Sequence, residues 1–242
     1  MGDPNDTGER LQKALAHLGL ASRREAEAWI RAGRLTINGN LATLGSRVRA
    51  TDQIRLDGRL VRRRPSERRQ LFALHRSPGE ALAAGSPLLE RLPRVAGRRF
   101  VAVSPMPAVD GGLELVTSDG ELAARLQRAV RGLEAEFSVR VHGELSAEQL
   151  ERIGEGRLDR GTALEILRCE CTAGGEGANR WYTLTARGAS GKDVRQLFER
   201  QGALVSRVLR TRLGPLALER RQLRGQSRQL ESVEIDALLQ GR

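Results

Sequence analysis

Lysine is nearly missing from this 242-residue chain: Lys13 and Lys192 are the only two among 41 basic residues, and the other 39 are arginines. Aromatic residues make up 3%, too few for the rows of exposed rings on which single-stranded nucleic acid is stacked. Trp29, Trp181 and Tyr182 are accordingly read as packing residues. The two cysteines, Cys169 and Cys171, and three scattered histidines, His17, His75 and His142, do not give the spacing of a zinc site, so no bound metal is expected. There is no run of about 18 apolar residues, and the opening MGDPNDTGER is polar and acidic. The chain is therefore expected to lack a membrane span and a secretory signal and to stay in the cytoplasm; a monomer is expected.

What is present is positive charge. The formal net charge is +11, and residues 1–69 hold fifteen Arg and Lys against eight Asp and Glu, so +7 of the excess lies in under a third of the length. Phosphate is the partner such a segment suits. The preference for Arg with many Ala, Leu and Gly also fits a GC-rich coding sequence, which discounts part of the excess. At 39% hydrophobic, the length accommodates one small and one medium domain, each with a core.

The front of the chain has clear local signals. Leu11, Leu15 and Leu18 recur at helical spacing, Gly19 ends that helix, and Ser22 with Glu25 forms a capping box for a second helix ending at Gly33. LTINGN then gives a short strand and an Asn38-Gly39 turn. From Glu9 to Val61 this stretch resembles the alpha-L RNA-binding domain found at the N-terminus of bacterial rRNA pseudouridine synthases and in a ribosomal small-subunit protein. The resemblance implies RNA contacts by Arg10, Lys13, Ser22, Arg23, Arg24, Arg34 and Asn38. The expected organisation is an RNA-binding domain over 8–61, a basic linker over 62–70 containing RRRPSERR, and a second domain over 71–242.

The segment RFVAVSPMPAVDGGLELVTSDG, from Arg99 to Gly120, resembles the uridine-isomerising segment of bacterial rRNA pseudouridine synthases of the RsuA/RluB type. There a strand leads into G-R-L-D, followed by Thr, G-L-L-L and T-x-D-G. Arg99, Phe100 and Val103 match the incoming strand, and Gly112, Leu113, Leu115, Thr117, Asp119 and Gly120 match the outgoing one without a gap. In that register Ser104, Pro105, Met106 and Pro107 stand at the G-R-L-D positions, so the nucleophilic aspartate is replaced by Pro107. Breaking and remaking a glycosidic bond needs a carboxylate beside the reacting centre, which proline cannot supply. Asp110 is the nearest candidate, yet three extended residues span up to about 10 Å. With Gly111 and Gly112 after it, Asp110 also reads as a solvated turn residue.

Other positions differ in the same direction. The family's K-P-x-G run appears as Arg76-Ser77-Pro78-Gly79, and its base-stacking Tyr as Phe137 in EFSVRV. The arginine that pairs with the catalytic aspartate in relatives corresponds to Arg195 in ARGASGKDVR, which also retains Lys192 as an RNA-binding candidate; Arg195 is either left without that partner or is an exposed helix residue. Leu209, Arg212, Leu213, Gly214, Pro215 and Leu218 resemble the family ending. DGELAARLQRAVR, SAEQLERIGEG and KDVRQLFERQG read as helices, and EAEFSVRVHG, TALEILRCEC and RWYTLTAR as strands.

The resemblance implies an α+β chain: the small N-terminal module followed by a pseudouridine-synthase-like domain on a mixed, mainly antiparallel β-sheet with flanking helices. Two functions follow from it. One is an rRNA-binding protein, acting on ribosomal RNA or a pre-ribosomal particle in ribosome assembly, with isomerase activity lost or much reduced. The other is an active synthase on large-subunit rRNA, with Asp110 as carboxylate, Phe137 stacking on the base and Arg195 alongside. An enzyme of that kind needs no metal or organic cofactor. A carboxylate in the cleft near Arg195 and Phe137 discriminates between the two readings, and Asp110 within hydrogen-bond reach of Arg195 counts against the first.

Overall fold

The computed structural model describes residues 8–18, 20–61, 70–83, 85–93, 100–159, 161–172, 178–219 and 221–241. Gly19, Arg99 and the linker run 62–69, each given a role above, lie outside the described residues. The chain divides into two compact units.

The first unit begins with β1 (Glu9–Arg10), α1 (Leu11–His17) and α2 (Arg23–Arg31). The Ser22 hydroxyl accepts from the Glu25 N–H at 3.1 Å and the Glu25 carboxylate accepts from the Ser22 N–H at 3.2 Å, the capping box expected from the sequence. Then come β2 (Leu35–Ile37), β3 (Asn40–Leu41), β4 (Arg47–Val48), β5 (Ile54–Leu56) and β6 (Arg59–Leu60). β3-β2-β5-β6 form an antiparallel sheet and β1 pairs with β4. Asn38 and Gly39 both take positive φ, as a two-residue hairpin turn requires, and Asp57 with Gly58 repeats the device between β5 and β6. Leu11, Leu15, Ala26, Ile30, Leu35, Val48 and Ile54 fill the core between helices and sheet.

The second unit is built on one nine-stranded sheet. Its elements are β7 (Leu71–Arg76), α3 (Pro87–Glu90), β8 (Val101–Ala102), β9 (Gly111–Thr117), α4 (Gly120–Ala129), β10 (Glu134–His142), α5 (Ala147–Gly154), β11 (Glu165–Thr172), β12 (Asn179–Arg187), α6 (Gly191–Glu199), β13 (Leu204–Leu213), β14 (Leu216–Ala217), β15 (Ser227–Gln229) and α7 (Ser232–Gln240). The order is β11-β12-β10-β13-β9-β7-β15, with β14 on β13 and β8 on β9. Among the described residues only β13 and β9 run parallel, so the sheet is mixed and mainly antiparallel. The strand expected to enter the catalytic segment is reduced to the two residues of β8.

Alternation along the strands decides what each face carries. Ala135, Phe137, Val139 and Val141 of β10 point one way, joining Tyr182 and Leu184 of β12 and Val194, Leu197 and Phe198 of α6 in the main core. On β7, Leu71 and Ala73 join that core, while Phe72 and Leu74 face the other side with Val116, Leu88 and Leu92. The centre of the sheet at β7 and β9 is thus covered on both faces, which is where buried charges need internal partners.

Candidate active site and nucleic-acid interface

Strand β9 enters the sheet through two glycines for a steric reason. A Cβ on Gly111 would lie 2.4 Å from the Arg76 carbonyl oxygen, and one on Gly112 would lie 2.3 Å from the Arg210 carbonyl oxygen. β9 is wedged between β7 and β13, and Gly112 also holds φ +93° there. Just before this wedge the Asp110 N–H donates to the Pro107 carbonyl at 3.0 Å, closing a reverse turn with exposed Ala108 and Val109 at its tip. The four residues from Pro107 to Asp110 are therefore folded back rather than extended, and their ends lie within about 7 Å.

The turn delivers Asp110 to the interior. Its Oδ1 accepts from Arg195 Nη2 at 2.5 Å and from the Val208 N–H at 2.8 Å, and its Oδ2 accepts from Arg195 Nε at 3.1 Å. Arg195 Nη1 donates to the Val205 carbonyl at 2.8 Å and to Glu199 at 3.1 Å. The Asp110 side chain is 0% exposed and that of Arg195 18%. The hydrogen bonds to Asp110 raise the Arg195 guanidinium above its ordinary value, with burial opposing. Two sequence readings are corrected here: Asp110 is not a solvated turn residue, and Arg195 is neither unpartnered nor a simple surface residue. The cause is one β-turn, which brings a carboxylate from three positions downstream to that arginine.

A second charged group holds the segment Ser104–Pro107 from behind. Arg76, at the end of β7, donates to Glu114 Oε1 at 3.0 Å, to the Glu80 carbonyl at 2.7 Å, and to the Met106 and Pro107 carbonyls at 3.0 and 2.8 Å. Glu114 also accepts from the Met106 N–H at 2.9 Å. Arg210 donates to the Leu113 and Ser104 carbonyls, each at 2.8 Å, and lies 3.4 Å from Glu114 Oε2. Burial pushes the Glu114 carboxyl up, against Arg210, the Met106 N–H and Arg76, which pull it down; burial pulls Arg210 down. Sequence reasoning gave Glu114 no role, although a glutamate inside the apolar run GLELV was its signal.

Met106 completes the closure. A Cβ on Gly191, the first residue of α6, would lie 2.4 Å from the Met106 sulfur and 3.1 Å from Pro107 Cδ, so these side chains sit directly on the helix start. Phe137 shares the main core with Met106 and is 0% exposed. Phe137, expected to stack on a base, has no exposed surface, because inward alternation on β10 buries it. Beside this closed centre, exposed Lys192 and the edge of Arg195 line a groove of about 590 Å³ with Asp159, Thr162 and Gln196.

The candidate RNA contacts of the first unit divide into two sets. Arg10, Arg23 and Arg24 are exposed and have no acidic partner among the described residues. Lys13 is paired with Glu9 at 3.1 Å, and Ser22 serves as the helix cap. Arg34 grips Asp57 at 2.9 and 2.5 Å with its guanidinium 5.4 Å over Trp29, and that hydrogen-bonded pairing holds the Asp57 carboxyl below its usual range. The Asn38 side chain donates to Asp52 at 3.0 Å and accepts from the Gln53 N–H at 2.8 Å. Arg34 and Asn38 thus brace the module internally.

Residues 9–54 match the S4 domain model. Over 228 residues the chain is 39% identical to ribosomal large subunit pseudouridine synthase B of Yersinia pestis, covering 90% of this chain and 71% of that protein. This chain belongs to the ribosomal large subunit pseudouridine synthase B family. The synthase B of Pseudomonas aeruginosa is 37% identical over 238 residues; the match takes in 96% of this chain but only 62% of that longer protein. The synthase B of Escherichia coli is 37% identical over 240 residues, covering 95% and 82%. A crystal structure described as a pseudouridylate synthase shares the fold, with a TM-score of 0.62 at 21% identity over 95% of this chain. Among the described residues no helix is long and apolar enough to cross a membrane, and no cluster of metal-binding side chains is formed.

Proposed function

We propose that this chain binds ribosomal RNA through its S4 domain and synthase-like surface and that its isomerase activity is lost or much reduced. The observation carrying this reading is the state of Asp110: its carboxylate has no exposed surface, and both oxygens are engaged by Arg195 and the Val208 N–H. Attack on a flipped uridine needs a carboxylate oxygen at contact distance from the sugar or base, and catalysis tolerates errors of about 1 Å. Buried Phe137 and Met106 seated on Gly191 support the same reading, since neither side chain is exposed for stacking on a base. A role in ribosome assembly fits an RNA binder of this fold.

One observation favours the other reading, an active synthase. The ion pair between Asp110 and Arg195 meets the condition that the sequence reading set against the inactive form, Asp110 within hydrogen-bond reach of that arginine; what weighs on the other side is that the carboxylate has no exposed surface. Pseudouridine mapping on ribosomal RNA decides, using cells with the gene, without it, and with Asp110→Asn. An unchanged map with the protein bound to ribosomal particles is the expected result. A uridine that loses modification in both altered strains would overturn the proposal.

A further inference from the structure

The main core lies on one face of β11-β12-β10-β13, so alternate residues of these strands face the other way. One row across that outer face reads Arg207, Arg140, Trp181 and Thr172, the register partners from β13 to β11. Two arginines thus stand directly opposite each other on neighbouring strands, an arrangement that costs stability unless an anion lies between them. Neither has an ion pair among the described residues, and the buried Nε of Arg140 has no hydrogen-bond partner there. The acids of this face have partners of their own: Glu136 accepts from Thr211 at 2.8 Å, Glu170 pairs with Arg168 at 2.5 Å, and Glu134 and Glu165 pair with Arg187 at 3.1 and 2.9 Å. The Arg140 guanidinium lies 5.9 Å from the Trp181 ring centroid, a contact that restrains it on this face.

We infer that Arg140 and Arg207 form a phosphate site on this outer sheet face, held in shape by Trp181, for the backbone of an RNA strand. The inference deepens the RNA-binding reading above by giving the second unit a contact distinct from the arginines of the S4 domain. An RNA backbone suits the face because it offers phosphate oxygens at regular intervals to paired arginine forks, while Ser138 and Thr183 in the adjacent row supply neutral hydroxyls for sugar contacts. Trp181 acts here as a positioning residue for Arg140 rather than as a base platform.

The test uses the full chain and a fluorescein-labelled RNA hairpin with a single-stranded oligouridylate tail, titrated at several salt concentrations. The Arg140→Gln/Arg207→Gln variant should weaken binding and lower the slope of log affinity against log salt by roughly 1.4 to 1.8, the share of two lost phosphate contacts. Its melting temperature should be unchanged or raised, because a like-charge pair is removed. In a Trp29→Phe background, where Trp181 is the sole tryptophan, RNA should change the tryptophan emission. A slope unaffected by the double substitution, with an Arg23→Gln/Arg24→Gln variant lowering it, would overturn this inference and leave the S4 reading standing. No binding by the unaltered chain would overturn both. A double variant that loses only polyglutamate binding would assign the face to an acidic peptide and also overturn it.

Discussion

Arg195 holds Asp110 by both edges of its carboxylate, across 85 positions of sequence, and the Val208 N–H takes part in the same grip. A pair so far apart in the chain ties the turn before β9 to α6 and β13 at one point. Breaking a buried pair by removing one partner leaves an uncompensated charge, at a cost of about 3–5 kcal/mol. Asp110→Ala should therefore lower the melting temperature by roughly 10 °C, with Asp110→Asn losing less because an amide oxygen still accepts. Thermal melts of the three proteins check this. An Asp110→Ala protein melting with the unaltered one would show that the pair carries no stability.

The first unit was largely legible because its signals are local. The Ser22–Glu25 box and the Asn38-Gly39 turn each lie within a few residues, and the helices and strands follow from them. Asp110 was not legible, since its role depends on a turn that reverses three residues and on a partner remote in sequence. Phe137 could have been read correctly: Ala135, Phe137, Val139 and Val141 form the apolar alternation of one strand, which places the ring in the core. Arg34 and Asn38 are exposed, as contact residues need to be, but sequence shows a charge or an amide and not the Asp57, Asp52 or Gln53 group that engages it.

The two cysteines of β11 share a strand face but not an environment. Cys169 is half-buried and burial pushes its thiol up to about 11, while Cys171 is exposed near the strand end. The thiolate is the reactive form, so at pH 8 a disulfide reagent should modify Cys171 rapidly and Cys169 only slowly. Stopped-flow titration with an aromatic disulfide, repeated on Cys171→Ser, should show the fast phase vanish in the variant. Two equal fast phases would contradict the packing of Cys169.

Arg228 and Glu234 couple β15 to the start of α7. The arginine donates to both carboxylate oxygens at 3.0 and 2.8 Å, and the Glu231 N–H donates to Glu234 at 2.9 Å. These bonds, that from Arg228 first, hold the Glu234 carboxyl below its ordinary value. A carboxylate lowered on folding stabilises above its unfolded pKa of about 4.3, and that contribution is lost as pH falls through the folded value. Glu234→Gln should thus be less stable than the unaltered chain at pH 7, by about 1 kcal/mol for this partly exposed pair, with the gap closing near pH 3. Urea midpoints at the two pH values measure it, and a gap of equal size at both would refute the assignment.

The charges around Glu114 offer a sharper test of why this centre is built as it is. Arg76, Glu114 and Arg210 are each at most 1% exposed, so removing the carboxylate alone leaves two arginines facing each other without water. Glu114→Leu should cost about 3–5 kcal/mol. Arg76→Met in the same chain removes one of the stranded charges but also the donor that fixes the Met106 and Pro107 carbonyls. If charge dominates, the double variant recovers part of the loss and the two substitutions couple favourably by about 1–3 kcal/mol. If the clamp on those carbonyls dominates, the losses add. Denaturant midpoints of the four proteins in the cycle separate the two, and the buried carboxylate between two arginines favours recovery, since an unpaired interior charge costs more than a lost neutral hydrogen bond.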